Sequence, residues 1–195
     1  ELGSISPGKY ADLLLLGDLA SVSVEQVFVA GRLVARWGKM LVQLPEARYP
    51  DFARRSVLLA KPLEARDFQV KAPPGQEKAS LRVIEIVEAQ VGTKETLRQV
   101  AVRDGLIHQD PATDLAKVAV FERHKGSGRY ALGFVTGFGF TRGAVASTVA
   151  HDSHNLLIVG TNDADMAFAG NVLAERGGGM VAVCDGTVLA LVELP

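Results

Sequence analysis

His151-Asp152-Ser153-His154-Asn155 gathers two of the chain's four histidines with a carboxylate, a hydroxyl and an amide in consecutive positions. Imidazole changes charge near neutral pH and is a common metal ligand. A neighbouring carboxylate fixes its tautomer or shares a metal with it. This chemistry makes His151, Asp152 and His154 the candidate acid–base or substrate-contacting catalytic residues, and Ser153 and Asn155 candidate substrate contacts. The plainer reading is a polar loop that hydrogen-bonds its own backbone, as Asp, Ser and Asn do. Zinc sites use three or more protein ligands. The two histidines alone therefore assign no metal ligand set within this chain, and an independent metal-binding module here would need further ligands from elsewhere.

Such a group needs a scaffold. The apolar, β-branched run Ala144–Ala150 precedes it and Leu156-Leu-Ile-Val159 follows it, so the group sits where strands end and sheets present functional side chains. Gly160-Thr-Asn-Asp163 then lies where a strand meets a helix amino end. Such ends bind anions and carbonyl groups, which makes Asn162 a further candidate substrate contact. Simple helix capping explains the same residues equally well.

The remaining elements read outward from there. Leu13-Leu-Leu-Leu16, Val24–Ala30 and Leu33–Arg36 form a short β-meander, closed by Trp37-Gly38. Prolines at 45, 50, 62, 73 and 74 break the chain between residues 44 and 80. A short helix capped by Asp51 is expected between 51 and 60, within an otherwise extended crossing segment. Strands recur at 82–87, 99–102 and 117–121, with Asp104-Gly105 as a hairpin signal. A helix is expected over about 164–175, ended by Gly177-Gly-Gly179. Met180–Val183 and Thr187–Leu191 then pair through Asp185-Gly186. The glycine-rich stretch Gly133–Phe140 lacks a P-loop ending and reads as a bent, tightly packed strand. His108, His124 and the Glu122-Arg123 pair read as solvated surface residues. Many strands with few helices give an α+β fold. The expected organisation is a domain over 1–44, a crossing segment over 45–80 and an α+β domain over 81–195.

Composition excludes several classes. The chain has 195 residues, 48% hydrophobic and 22% charged, with a net charge of −1. That balance gives no electrostatic case for nucleic acid or anionic membrane partners. No apolar run approaches the roughly 18 residues of a membrane span. Cys184 is the single cysteine, which suits a reducing cytoplasm. The signature Cys-x-x-Cys of the base-flipping zinc deaminases is missing, as is a Gly-x-Ser-x-Gly elbow. The chain opens Glu1-Leu2-Gly3 and stops at Leu194-Pro195, directly after a strand-like run, and reads as a piece of a longer polypeptide.

Two stretches carry a family resemblance. Gly3 through Leu16, with its Pro7-Gly8-Lys9 turn and Ala11-Asp12 before an apolar strand, resembles the strand that re-enters the small β-domain of amidohydrolase-superfamily enzymes. The second stretch includes Asp114, Lys117–His124, Gly133–Gly139, Gly143–Asn155, Val159–Asp163, Asp165-Met-Ala167 and Gly177–Gly179. It resembles the carboxy-terminal domain of bacterial-type adenine deaminases. The resemblance implies a partial amidohydrolase small β-domain followed by a mixed α/β-layer domain. It also implies hydrolysis of adenine to hypoxanthine and ammonia in purine salvage, by a water that a divalent metal, manganese or iron, activates. The metal-bearing barrel of that family is absent from this sequence. The metal would therefore be held elsewhere, the missing barrel portion becomes an expected partner, and the chain alone is expected to be inactive. A homo-oligomer is also expected. The competing functions are another amidohydrolase acting on a cyclic amide, and a non-catalytic domain that mediates oligomerisation or covers an active site.

Overall fold

The computed structural model describes residues 2–46 and 48–194. The chain divides into two compact units, Glu1–Arg48 and Tyr49–Pro195.

The first unit is an antiparallel meander of β1 (Leu13–Asp18), β2 (Ser23–Val29), β3 (Arg32–Arg36) and β4 (Lys39–Met40), paired in that order. Ala30-Gly31 and Trp37-Gly38 turn the chain with paired positive φ values of 50° and 77°, and 51° and 72°. Two left-handed residues match the twist of the flanking strands, which is why glycine stands second in each pair. The Asp12 carboxylate anchors the first turn by accepting the Ala30 N–H at 2.6 Å. None of the described residues of this unit is buried, and the leucines of β1 remain partly or fully exposed.

The second unit opens with α1 (Asp51–Arg54) and is built on a ten-stranded sheet. In chain order its strands are β5 (Val70–Lys71), β6 (Lys78–Ile86), β7 (Thr93–Arg103), β8 (Leu106–Ile107), β9 (Ala116–Phe121), β10 (Tyr130–Thr136), β11 (Ala144–Ser147), β12 (Leu156–Gly160), β13 (Gly179–Cys184) and β14 (Thr187–Glu193). Their spatial order is β14-β13-β11-β12-β9-β10-β6-β7-β8-β5. β10 runs parallel to β6, and the other neighbours are antiparallel. The α+β, β-rich class read from the sequence holds.

Helix α2 (Asp163–Arg176) lies on one face of β11, β12 and β13. Its Met166, Ala169 and Leu173 are buried with Ala146, Leu156, Ile158 and Val181 of the sheet. Gly177 ends it at φ 80°, as its sequence announces. One expectation needs correction. The helix near residue 51 spans four residues, and Pro50, not Asp51, occupies the capping position without a side-chain hydrogen bond. It stops because residues 56–59 are drawn out along the sheet, where the Leu58 N–H donates to the Arg123 carbonyl at 2.7 Å. The proline-rich segment also packs into the second unit. Leu63 and Phe68 join the core, and the Phe68 ring lies 5.4 Å from that of Phe121.

Candidate functional site

The loop between β11 and β12 carries the whole His151–Asn155 group. Asp152 (φ 69°) and His154 (φ 48°) are both left-handed. Asp and His are among the non-glycine residues that visit this region most readily, so the residue types that could do chemistry also shape the turn. The Ser153 N–H donates to the His151 carbonyl at 2.9 Å, and the His154 N–H to the Ala150 carbonyl at 2.7 Å. His151 Nδ1 lies 3.0 Å from Asp152 Oδ1, with the two side chains 95% and 91% exposed. An imidazole held by a carboxylate on one ring nitrogen and open to solvent at the other can pass a proton or meet a ligand.

Beneath the loop lies Arg123, only 8% exposed. Its Nε donates to the His154 carbonyl at 2.5 Å, Nη1 to the Ser56 carbonyl and hydroxyl at 2.7 Å each, and Nη2 to the Thr148 carbonyl at 3.5 Å. The planar guanidinium fork thus staples both stems of the loop to residue 56. Burial pushes the guanidinium pKa down, yet a guanidinium stays charged in a protein. His124 reaches the same loop, with Nε2 3.2 Å from the Ser153 carbonyl. Glu122 holds this turn. Its carboxylate accepts the Ser127 hydroxyl and the N–H groups of His124, Lys125 and Ser127, and the Ser127 hydroxyl bond leads in pulling its pKa down to about 2. Residues 122–124, read from sequence as a solvated pair and a surface histidine, are therefore the clamp that positions the candidate site.

Asn155 closes the loop with its Oδ1 buried and without a hydrogen-bond partner. Asn162 lies apart, beyond the far end of β12, roughly 20 Å along the chain at strand rise. Its Oδ1 accepts the Asp165 N–H at 2.7 Å and its Nδ2 donates to Asp165 Oδ2 at 2.8 Å, so both ends of the amide serve the cap of α2.

Three polar clusters escaped the sequence reading. The Asp114 carboxylate accepts the N–H groups of Gly137 and Gly139 at 2.6 and 2.8 Å and the Thr136 hydroxyl at 3.0 Å, which pins the glycine-rich stretch after β10. Lys117 projects into the interior, where Nζ donates to the Phe68 carbonyl and to Asp163 Oδ1, both at 2.6 Å. Burial pushes its ammonium pKa down, and the Asp163 carboxylate opposes that. The Asp165 carboxylate accepts the N–H groups of Asp185 and Gly186 at 3.0 and 2.8 Å, tying α2 to the β13–β14 turn.

Among the described residues the donor chemistry does not fit a catalytic metal. Asp165, Cys184 and Asp185 place one potential ligand atom each within 4.8 Å of one another. Asp165, however, is engaged by Asn162 and two backbone N–H groups. Burial, and then Asp185, push the Cys184 thiol pKa up, away from the thiolate a metal needs. His151 and Asp152 supply two donors, fewer than a zinc site uses.

Comparison with known proteins gives the class. The family description "Adenine deaminase C-terminal domain" matches residues 90–195. The chain is 58% identical over 195 residues to an adenine deaminase of Moorella thermoacetica, covering all of this chain and 33% of that protein. It is 48% identical over 195 residues to an adenine deaminase of Clostridium botulinum, covering 100% of this chain and 32% of that protein. It is 46% identical over 196 residues to adenine deaminase 3 of Rhizobium meliloti, covering 100% and 33%. The chain belongs to the adenine deaminase C-terminal domain family. It spans about a third of the length of the curated relatives it matches.

Proposed function

We propose that this chain is the carboxy-terminal portion of an adenine deaminase, and that the complete polypeptide hydrolyses adenine to hypoxanthine and ammonia in cytoplasmic purine salvage. The match along all 195 residues to proteins of that name carries the reading. Replacing the amine on the purine ring by oxygen requires an activated water and a proton for the departing ammonia. No set of residues described in this chain fits a catalytic metal, so activation of the water belongs to residues outside it. Within this chain, His151, Asp152 or His154 contacts adenine or carries a proton, with Ser153 and Asn155 as neighbouring contacts and Arg123 holding the loop in place. Self-association fits the free outer edge of β14, an apolar strand paired on one side among the described residues.

The test is a chimera in which this chain replaces the matching third of the Moorella thermoacetica enzyme. Replacing His151 and His154 together by alanine is expected to lower kcat/KM at least about a hundredfold, the lower end of acid–base contributions. Unchanged kinetics would rule out the catalytic role. They would favour the second reading, a domain that covers the active site without entering the chemistry. The near-complete exposure of His151 and Asp152 supports that alternative.

A further inference from the structure

The sheet of the second unit carries apolar side chains on both faces where it passes beneath α2. One face meets the helix. On the other, Val145, Leu157, Met180, Ala182, Ala190 and Val192 line a groove of about 470 Å³, with Ser147 as its single polar lining residue. Met180 is 44% exposed and Val192 51%. An antiparallel sheet with one solvated face alternates apolar and polar residues. Here β12 reads Leu-Leu-Ile-Val-Gly with no alternation, the pattern of a strand covered on both sides. A groove this apolar marks an interaction surface.

The chain matches its relatives along its full length yet spans a third of theirs, so about two thirds of such a polypeptide remains as a candidate cover. The groove has no charged lining residue, which suits a permanent interface that resembles a divided core more than a transient contact. The first unit, in which no described residue is buried, presents a second apolar surface in the same condition.

Resting on the adenine deaminase reading, we propose that the open sheet face around Leu157 and Met180 docks against the part of that polypeptide lying outside this chain. Ser147 lines the groove and His151 follows four residues later. Docking therefore brings the stem of the histidine loop to the partner body.

The test places a photoreactive benzoylphenylalanine at position 180 of the chimera and maps the crosslinked peptides. Crosslinks to the Moorella-derived two thirds are expected. Crosslinks between two copies of this chain, or none, would overturn the proposal. In a companion variant, Met180→Lys with Val192→Lys, the isolated chain is expected to keep its Tm within about 2 °C, since both sites are exposed and surface changes cost little. The same changes in the chimera should shorten its half-life under protease at least tenfold, and an unaltered half-life would overturn docking. Deaminase turnover is read separately. An active chimera without crosslinks defeats the docking proposal, whereas a folded, crosslinked but inactive chimera defeats the functional reading and upholds docking.

Discussion

Asp114 shows how a single side chain can hold a loop that its sequence leaves undefined. Burial pushes its carboxyl pKa up. The N–H groups of Gly137 and Gly139, the Thr136 hydroxyl and the Arg98 charge outweigh that and leave it below the ordinary carboxylate value. A carboxylate depressed in the folded state binds its proton less readily there than in the unfolded chain. Its stabilisation is therefore complete above the unfolded pKa, about 3.9, and is lost as pH falls through the lower folded value. Asp114→Asn is expected to cost about 1.5–3 kcal/mol at pH 7, the scale of hydrogen bonds to a charged group. The difference in Tm from the parent chain should shrink as the pH is lowered from 7 to 3. Thermal unfolding at both pH values checks this, and an equal Tm difference at the two would contradict it.

Among the elements, α2 depends on an uneven ion pair at its amino end. The Lys117 side chain is 1% exposed and that of Asp163 20%. Removing Asp163 leaves a buried cation with the Phe68 carbonyl, whereas removing Lys117 leaves a carboxylate that keeps the Gln109 amide at 2.7 Å and a favourable helix terminus. Asp163→Ala is accordingly expected to cost about 3–5 kcal/mol, and Lys117→Met clearly less. Urea unfolding of the two variants gives the order, and the reverse order would contradict the argument. The sequence carried a signal for this that its reading did not use. The alternation Lys117, Ala119, Phe121 along β9 sends the lysine to the same face as the core. The Asp104-Gly105 and Asp185-Gly186 turns, the Gly177 stop and the strands flanking the histidine loop were all legible from local chemistry. By contrast, Arg123 as the loop's clamp was hidden, because its partners lie at residues 56, 148 and 154 and only the tertiary fold brings them together. The long hairpin of β6 and β7 was read only in part, since Lys, Glu, Arg and Thr dominate the two-sided solvated stretch at 93–98. No local signal identified Leu63 and Phe68 as core residues within a proline-broken segment.

At the scale of the molecule, both units leave large apolar side chains exposed. The four-stranded meander has no buried residue among those described and no second layer, and the ten-stranded sheet has a helix on one face and an open apolar groove on the other. On the proposed reading, the layer that covers these surfaces and the chemistry that activates water lie in the part of an adenine deaminase outside this chain, which spans about a third of its relatives' length. On the same reading, the candidate histidine loop, clamped from below by Arg123 and open above, is what this portion contributes to the whole. No helix among the described residues is long and apolar enough to cross a membrane.

The central claim is that this chain is one portion of an adenine deaminase and completes an activity it does not hold alone. The most direct measurement is hypoxanthine formation from adenine in the presence of manganese, followed for the purified 195-residue chain and for the chimera side by side. Turnover by the chimera and none by the chain is the expected result. Turnover by the chain alone, or a folded chimera that leaves adenine unchanged, would contradict the account.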